Sequence, residues 1–221
     1  MSKLSQNFLH DKSFVDKFVY YVFSMGLTRP IIEVGCGKGI ISAKVNPDVC
    51  IEIDVNLLQY LRSFSPVLSD ARYLPVFRGS IVSSLPYSIT RDFFLEVSEL
   101  NDVNKMLLIL QKDFVDKILE YPSYISFLLN YYYLIRPMDV IPPDAFSPKP
   151  KVYSQIVYFV RRRKYDDRVS QVIECVSRFR NKKVKKAAEL CNIKSDNERR
   201  VRDYKPWEIL ELLSSMDINS A

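Results

Sequence analysis

Histidine is nearly missing from this chain: His10 is the only one in 221 residues. The four cysteines, Cys36, Cys50, Cys175 and Cys191, form no CxxC pair. A zinc centre needs a denser cluster of ligands, so no metal site is expected, and the cysteines read as reduced thiols of a reducing compartment. Long apolar runs are absent too. The longest, Ile125 to Ile135, is interrupted by Asn130 and is too short to span a bilayer. Met1 to Lys12 is polar, with no apolar signal core. A soluble, cytoplasmic protein without membrane association is expected. No internal repeat or low-complexity tract is found.

Apolar residues make up 48% of the chain, which favours a packed core over disorder. The length suits one α/β domain with a small appendage. Charge is unevenly spread. Residues 1–160 hold 16 Lys/Arg and 16 Asp/Glu, whereas residues 161–221 hold 16 and 10. The net charge of +6 therefore sits in the last part of the chain. Such a segment is either a polyanion-binding element or a solvated helical surface.

Apolar and amphipathic segments alternate. Strands are expected at 31–34, 49–54, 81–84, 106–110, 131–140 and 154–160. Helical patterns occupy 13–25, 56–64 and 91–97. This βαβα order predicts an α/β fold, a Rossmann-like, mostly parallel sheet with helices on both faces. After Val160 the texture changes: Arg161-Arg162-Arg163-Lys164 reads as a charged hinge. Three helices are then expected, at 167–179, 183–191 and 206–216, with Pro206 in a first turn. The expected domains are 1–160 and 161–221, the second small and helical.

Gly35-Cys36-Gly37-Lys38-Gly39 follows a strand and precedes a helical pattern. Glycines there let the backbone turn sharply and approach a ligand closely. The spacing is neither GxGxxG nor a Walker loop, which disfavours NAD and ATP. Glu52, near the end of the next strand, is placed to accept hydrogen bonds from ribose hydroxyls. Asp70 is placed to accept one from an adenine amine. Each acid alone also fits an ordinary exposed strand end. The ordered set of turn, acid and acid favours an adenosine-bearing cofactor without phosphates, a description S-adenosylmethionine fits.

Ser84-Leu85-Pro86-Tyr87 lies at the end of the strand expected at 81–84. Alone, Leu-Pro-Tyr also describes a strand-ending turn. Beyond the cofactor acids it reads as a pocket for an exocyclic amine. The lone pair of such an amine is delocalised into its ring. Acceptors aimed at the N–H bonds help the nitrogen become tetrahedral and stabilise developing charge. The Ser84 side chain and the Pro86 carbonyl are the candidate acceptors, and Tyr87 can stack on an extruded base. Displacement at a sulfonium needs alignment more than acid–base chemistry, so scarce histidine is no obstacle.

With these residues in view, the chain resembles the ribosomal RNA adenine-N6,N6-dimethyltransferases, most closely their archaeal and eukaryotic branch. The erythromycin-resistance RNA methylases are similar. Ser5-Gln6-Asn7-Phe8-Leu9-His10-Asp11 resembles the family's GQxFLxD segment, whose backbone lies against the cofactor. Glu33 to Gly39 matches its glycine motif, Glu52-Ile53-Asp54 its ribose motif and Asp70-Ala71 its adenine motif. Gln111-Lys112-Asp113-Phe114 resembles its Gln-Lys-Glu stretch. Phe146 to Ser154 matches FxPxPKVxS, and Phe179 to Lys186 resembles its basic C-terminal helix. Ser84 stands where the family usually has Asn, and Ser5 where it has Gly.

The resemblance implies a class I S-adenosylmethionine methyltransferase sheet. It implies action on adenines near the 3′ end of small-subunit ribosomal RNA, within a small-subunit precursor, as part of ribosome biogenesis; nothing in the sequence argues against a monomer, which is the expected state. Implied cofactor-binding residues are Gln6, Asn7, Leu9, Glu33, Gly35, Gly37, Glu52, Asp70, Ala71 and Ser84. Ser84, Pro86, Tyr87 and Phe146 would act on the target base, the two rings sandwiching it. Arg180, Lys182, Lys183, Lys185, Lys186, Arg199, Arg200 and Arg202 would contact RNA phosphates. Ser84 also motivates an alternative, a ribosome-assembly or RNA-binding factor with weakened or lost methyl transfer. An enzyme acting on large-subunit RNA is a third reading.

Overall fold

A computed structural model describes residues 7–218. The chain divides into two compact units. One runs through Asp113 and resumes over Ile135–Arg161, and the other comprises Phe114–Leu134 and the chain from Arg162 onward. This differs from a single boundary near residue 160, because residues 114–134 group with the C-terminal segment.

The first unit is built on a sheet. Its elements are β1 (Phe8–Leu9), α1 (Lys12–Ser24), β2 (Ile31–Val34), α2 (Ser42–Val45), β3 (Val49–Glu52), β4 (Pro66–Leu68), β5 (Arg78–Ser84), α3 (Thr90–Glu99) and β6 (Asp102–Gln111). After the excursion into the second unit come β7 (Tyr133–Ile141), β8 (Phe146–Ser147) and β9 (Ser154–Arg161). The seven-stranded sheet has the order β4-β3-β2-β5-β6-β9-β7. Neighbours from β4 to β6 are parallel, and β9 returns antiparallel along β6. β2 is buried throughout and so is the centre of β6, as expected of strands covered on both faces.

Local chemistry sets the element ends. Asp11 caps α1, its carboxylate accepting from the Ser13 and Phe14 amides at 2.8 and 3.3 Å. Val15, Phe18 and Val22 then bury one face of that helix. The pattern expected at 56–64 is a 3-10 turn over Val55–Tyr60, capped by Asp54. Arg161 ends β9 and is no free hinge charge. Its guanidinium donates to the carbonyls of Val97, Ser98, Leu100 and Val103, the first three at the end of α3. A helix C-terminus leaves carbonyls that need donors, and a cation also suits the negative end of its dipole.

The second unit contains α4 (Lys112–Glu120), α5 (Tyr124–Tyr132), α6 (Asp167–Arg178), α7 (Val184–Leu190) and α8 (Ile209–Ser214). The three C-terminal helices lie where the sequence pattern puts them. α5 does not, because its residues read as an apolar run leading into a strand. Ser123 and Ser126 cap it reciprocally, and seven of its nine residues are buried. Two cysteines are not free thiols: Cys175 of α6 and Cys191, just beyond α7, form a disulfide with Cα atoms 6.0 Å apart. They meet only once both helices are folded, so their spacing carried no signature. Cys36 and Cys50 remain buried thiols. Among the described residues, no helix is long and apolar enough to cross a membrane.

Candidate functional site: a cavity at the carboxyl edge of the sheet

The loop after β2 turns back over β3. Gly35 donates to the Ile51 carbonyl at 2.8 Å, and Gly39 to that of Cys36 at 2.9 Å. Gly37 has φ +56° and lies under the Phe8 ring. A Cβ added there would come within 2.8 Å of that ring and force it to shift, and the positive φ is strained for any other residue, so glycine is favoured. Phe8 is held by β1, which pairs antiparallel with β8, Leu9 opposite Phe146. The Ala145 carbonyl accepts from His10 and Asp11 beside this ribbon.

Beneath the loop, the Glu52 carboxylate accepts from the Gly37 amide on one oxygen (2.8 Å) and from the Ile53 and Asp54 amides on the other (both 2.9 Å). Three backbone donors fix the acid the sequence assigned to ribose. Glu33, only 2% exposed, is different. Its Oε2 is buried without a hydrogen-bond partner among the described residues. Burial pushes its carboxyl up to about 8, opposed by the Ser42 hydroxyl and reinforced by the charge of Glu52. Donor atoms of Glu33, Cys36 and Cys50 lie within 4.8 Å of one another. Burial pushes the Cys36 thiol up, however, and that thiol donates to the Glu33 carbonyl.

Ser84 is half-buried at the end of β5, and no bond to its side chain is found among the described residues. The Pro86 carbonyl departs from expectation. It accepts from the Ile89 amide at 3.2 Å and the Thr90 hydroxyl at 3.4 Å, starting the 3-10 turn Tyr87–Ile89. The Leu85 amide donates to Ile109, while among the described residues no donor to the Leu85 carbonyl is found. The free backbone acceptor beside Ser84 is therefore Leu85 O. Tyr87 is anchored by a 2.5 Å hydrogen bond between its hydroxyl and Ser154 Oγ, and burial raises its pKa.

These groups share one cavity of about 480 Å³, within the range of small-molecule sites. Asn7, Leu9, Glu33, Gly35, Gly37, Glu52, Asp70, Ala71, Ser84, Pro86, Tyr87 and Phe146 all line it. Gln6 and Ser5 lie outside the described residues. Phe8 and Arg72 line it too, though the sequence assigned them no role. Ser154 also went unassigned, visible only as the last residue of a motif. The partnerless Glu33 oxygen calls for a ligand cation, and the ammonium of S-adenosylmethionine fits it.

The predicted phosphate-binding residues lie in the second unit. Segments 180–185 and 197–202 pair there: Val201 donates to Lys182, Arg202 to Arg180, Val184 to Arg199 and Lys185 to Asn197. Arg180, Lys182, Arg200 and Arg202 are exposed, Arg200 donating to the Asn181 carbonyl at 2.7 Å and Arg202 lying 4.0 Å from Asp203. Lys183 and Lys185 share Glu198, and Lys186 pairs with Glu189. Arg199 is engaged within the unit. Its guanidinium stacks 3.8 Å from the Tyr204 ring centroid and pairs with Glu208 and Glu211.

A sheet of this order, with a glycine turn and strand-end acids around one cavity, defines a Rossmann-like methyltransferase. Over residues 77–199 the chain matches the family model described as ribosomal RNA adenine dimethylase. A relative from Mesomycoplasma hyopneumoniae (strain 232), "Ribosomal RNA small subunit methyltransferase A", is 31% identical, covering 74% of this chain and 70% of that protein. A Methanococcus vannielii protein, "Probable ribosomal RNA small subunit methyltransferase A", is 29% identical over 95% of this chain and 85% of its own length. In fold, the chain is similar to a dimethyladenosine transferase from Plasmodium falciparum. The TM-score is 0.78 at 16% identity, with 95% of this chain and 97% of that one covered. It is also similar to the 23S rRNA methyltransferase ErmE, with a TM-score of 0.70 at 20% identity over 96% and 100% of the two chains. The chain belongs to the ribosomal RNA adenine dimethylase family. It is an rRNA adenine methyltransferase, and its cofactor is S-adenosylmethionine.

Proposed function

We propose that this enzyme methylates N6 of adenines near the 3′ end of small-subunit ribosomal RNA, adding one methyl at a time up to the dimethyl product. The observation that carries the proposal is a single cavity lined by both the cofactor acids and the Ser84–Tyr87 turn. Glu52 is the reading for the ribose, Asp70 for the adenine and Glu33 for the ammonium. Bound S-adenosylmethionine supplies an electrophilic methyl on a sulfonium. Tyr87, held by Ser154, and Phe146 stack on the extruded adenine and fix its plane. Ser84 Oγ and the Leu85 carbonyl accept the amine's two hydrogens, so the nitrogen lone pair turns out of the ring as charge develops. Leu85 replaces Pro86 in this role because the Pro86 carbonyl is already occupied by Ile89 and Thr90. Asn7, Leu9, Gly35, Gly37 and Ala71 shape the cofactor's walls.

Arg180, Lys182, Arg200 and Arg202 hold RNA by its phosphates, with Lys183, Lys185 and Lys186 in support. Action on a small-subunit precursor during ribosome biogenesis, as a monomer in the cytoplasm, belongs to the same proposal. The small-subunit assignment is supported by the names of relatives aligning with most of this chain. Labelled methyl transfer to separated subunits tests it: label should enter the small subunit, and label confined to the large subunit refutes it. Ser84 favours one second reading, a binding factor with weakened transfer, since its side chain is shorter than asparagine. That reading expects tight RNA binding with little label in either subunit.

A further inference from the structure

Asp70 is held by its own near neighbour. The Arg72 amide donates to Oδ1 at 2.9 Å, Nε lies 3.1 Å from both oxygens, and Nη2 donates to Oδ2 at 2.6 Å. Both residues line the cavity. An ionised carboxylate offers about four lone-pair sites. Three hydrogens of Arg72 meet them in four contacts, the Nε hydrogen being shared between both oxygens, so the group has room for about one further donor. A purine 6-amino group brings a donor to that site. A 6-oxo group brings a lone pair, which the carboxylate repels.

Resting on the reading of Asp70 as the adenine acceptor, we propose that Arg72 is the positioning residue for the cofactor's base. It locks the Asp70 carboxylate in one orientation and leaves a single acceptor aimed at a 6-amino hydrogen. The planar guanidinium is suited to this, because its fork meets both oxygens at once and a lysine ammonium cannot. Arg72 also extends the acceptor-only state to lower pH. Its hydrogen bonds hold the Asp70 carboxyl below the usual range. A protonated Asp70 would carry a donor of its own and accommodate a 6-oxo purine.

Calorimetric titration with S-adenosylhomocysteine and its 6-oxo analogue, S-inosylhomocysteine, tests the inference on the full chain. Wild type, Arg72→Ala and Arg72→Lys are compared at about pH 7 and about pH 4. Arg72→Ala should bind the adenine ligand about tenfold more weakly, the equivalent of about 1.4 kcal/mol, and should discriminate less between the two ligands. Its affinity should fall further than that of wild type at the lower pH, and Arg72→Lys should not restore discrimination. In methyl transfer, KM for the cofactor should rise while kcat holds. A general loss of fold would show in the melting curve and lower kcat too. Wild-type binding with Arg72→Ala equal or tighter overturns the clamp but leaves the cofactor reading standing. Wild type binding neither ligand overturns both.

Discussion

Glu33 carries a carboxyl in a place that disfavours its charge. Its value of about 8 in the folded chain, against 4.5 ordinarily, has a definite sign for stability. Below 4.5 the group is protonated folded or unfolded and has no effect. Between 4.5 and 8 the unfolded chain gives up the proton and the folded one keeps it, so stability falls as pH rises through that window. Glu33→Gln should therefore raise the melting temperature relative to wild type more at the top of the window than at its foot. A bound ammonium pairing with Glu33 favours the ionised form. Cofactor binding near neutral pH should then release a proton, seen as a dependence of the calorimetric enthalpy on the buffer's ionisation heat. Glu33→Gln should abolish that release and weaken binding. An unchanged buffer dependence in the variant would remove Glu33 from the account. Ser84 acts at the same scale. Its hydroxyl supplies an acceptor oxygen on a shorter arm than asparagine, so the share of dimethyl product should rise in Ser84→Asn.

The short strand β1 does work that its two residues do not advertise. Paired with β8, it seats Phe8 over Gly37 and sets Phe146 in the cavity wall. Gly37→Ala meets two obstacles, a φ of +56° and the Phe8 ring at 2.8 Å. The left-handed backbone alone costs a residue with a Cβ about 1–2 kcal/mol. Cofactor affinity should drop at least tenfold while the circular dichroism spectrum is retained; wild-type affinity in this variant would mean that the ribbon does not bear on the site. Elements of this kind separate what was legible in the sequence from what was not. The glycine turn and the strands before it and through Glu52 were legible, because strand, turn and helix patterns differ in period, whereas the short strand β4 before Asp70 was not among those expected. α5 was not, since an apolar stretch such as Ile125–Ile135 has no period to distinguish buried helix from buried strand. Nor was the direction of the Pro86 carbonyl, which depends on a 3-10 turn closing through Ile89 and Thr90. Arg161 looked like part of a charge run because the carbonyls it caps lie some sixty positions away.

Across the whole molecule, charge separates by role. The basic excess was legible from composition, but which cations remain available was not, because pairing is set by folding. Arg202 is exposed, with a 4.0 Å ion pair to Asp203, whereas Arg199 is stacked on Tyr204 and paired with Glu208 and Glu211. Arg202→Ala should weaken RNA binding and reduce the slope of log affinity against log salt by about 1. Arg199→Ala should lower thermal stability and leave that slope unaltered. If the two variants exchanged these effects, the assignment of the patch would be wrong. The Cys175–Cys191 disulfide encloses Arg180 to Lys186, so these measurements should be made with its redox state controlled. The central claim is that methyl donor and target adenine meet in one cavity, with the oxygens of Ser84 and Leu85 steering the amine. Its most direct test is mass spectrometry of nucleosides from small-subunit ribosomal RNA, incubated with the purified protein and S-adenosylmethionine. Wild type should yield N6-methylated adenosines, and Ser84→Ala about 100-fold less, the scale of losing one group that stabilises transition-state charge. Equal yields from the two proteins, or methyl groups on any atom other than adenine N6, would contradict it.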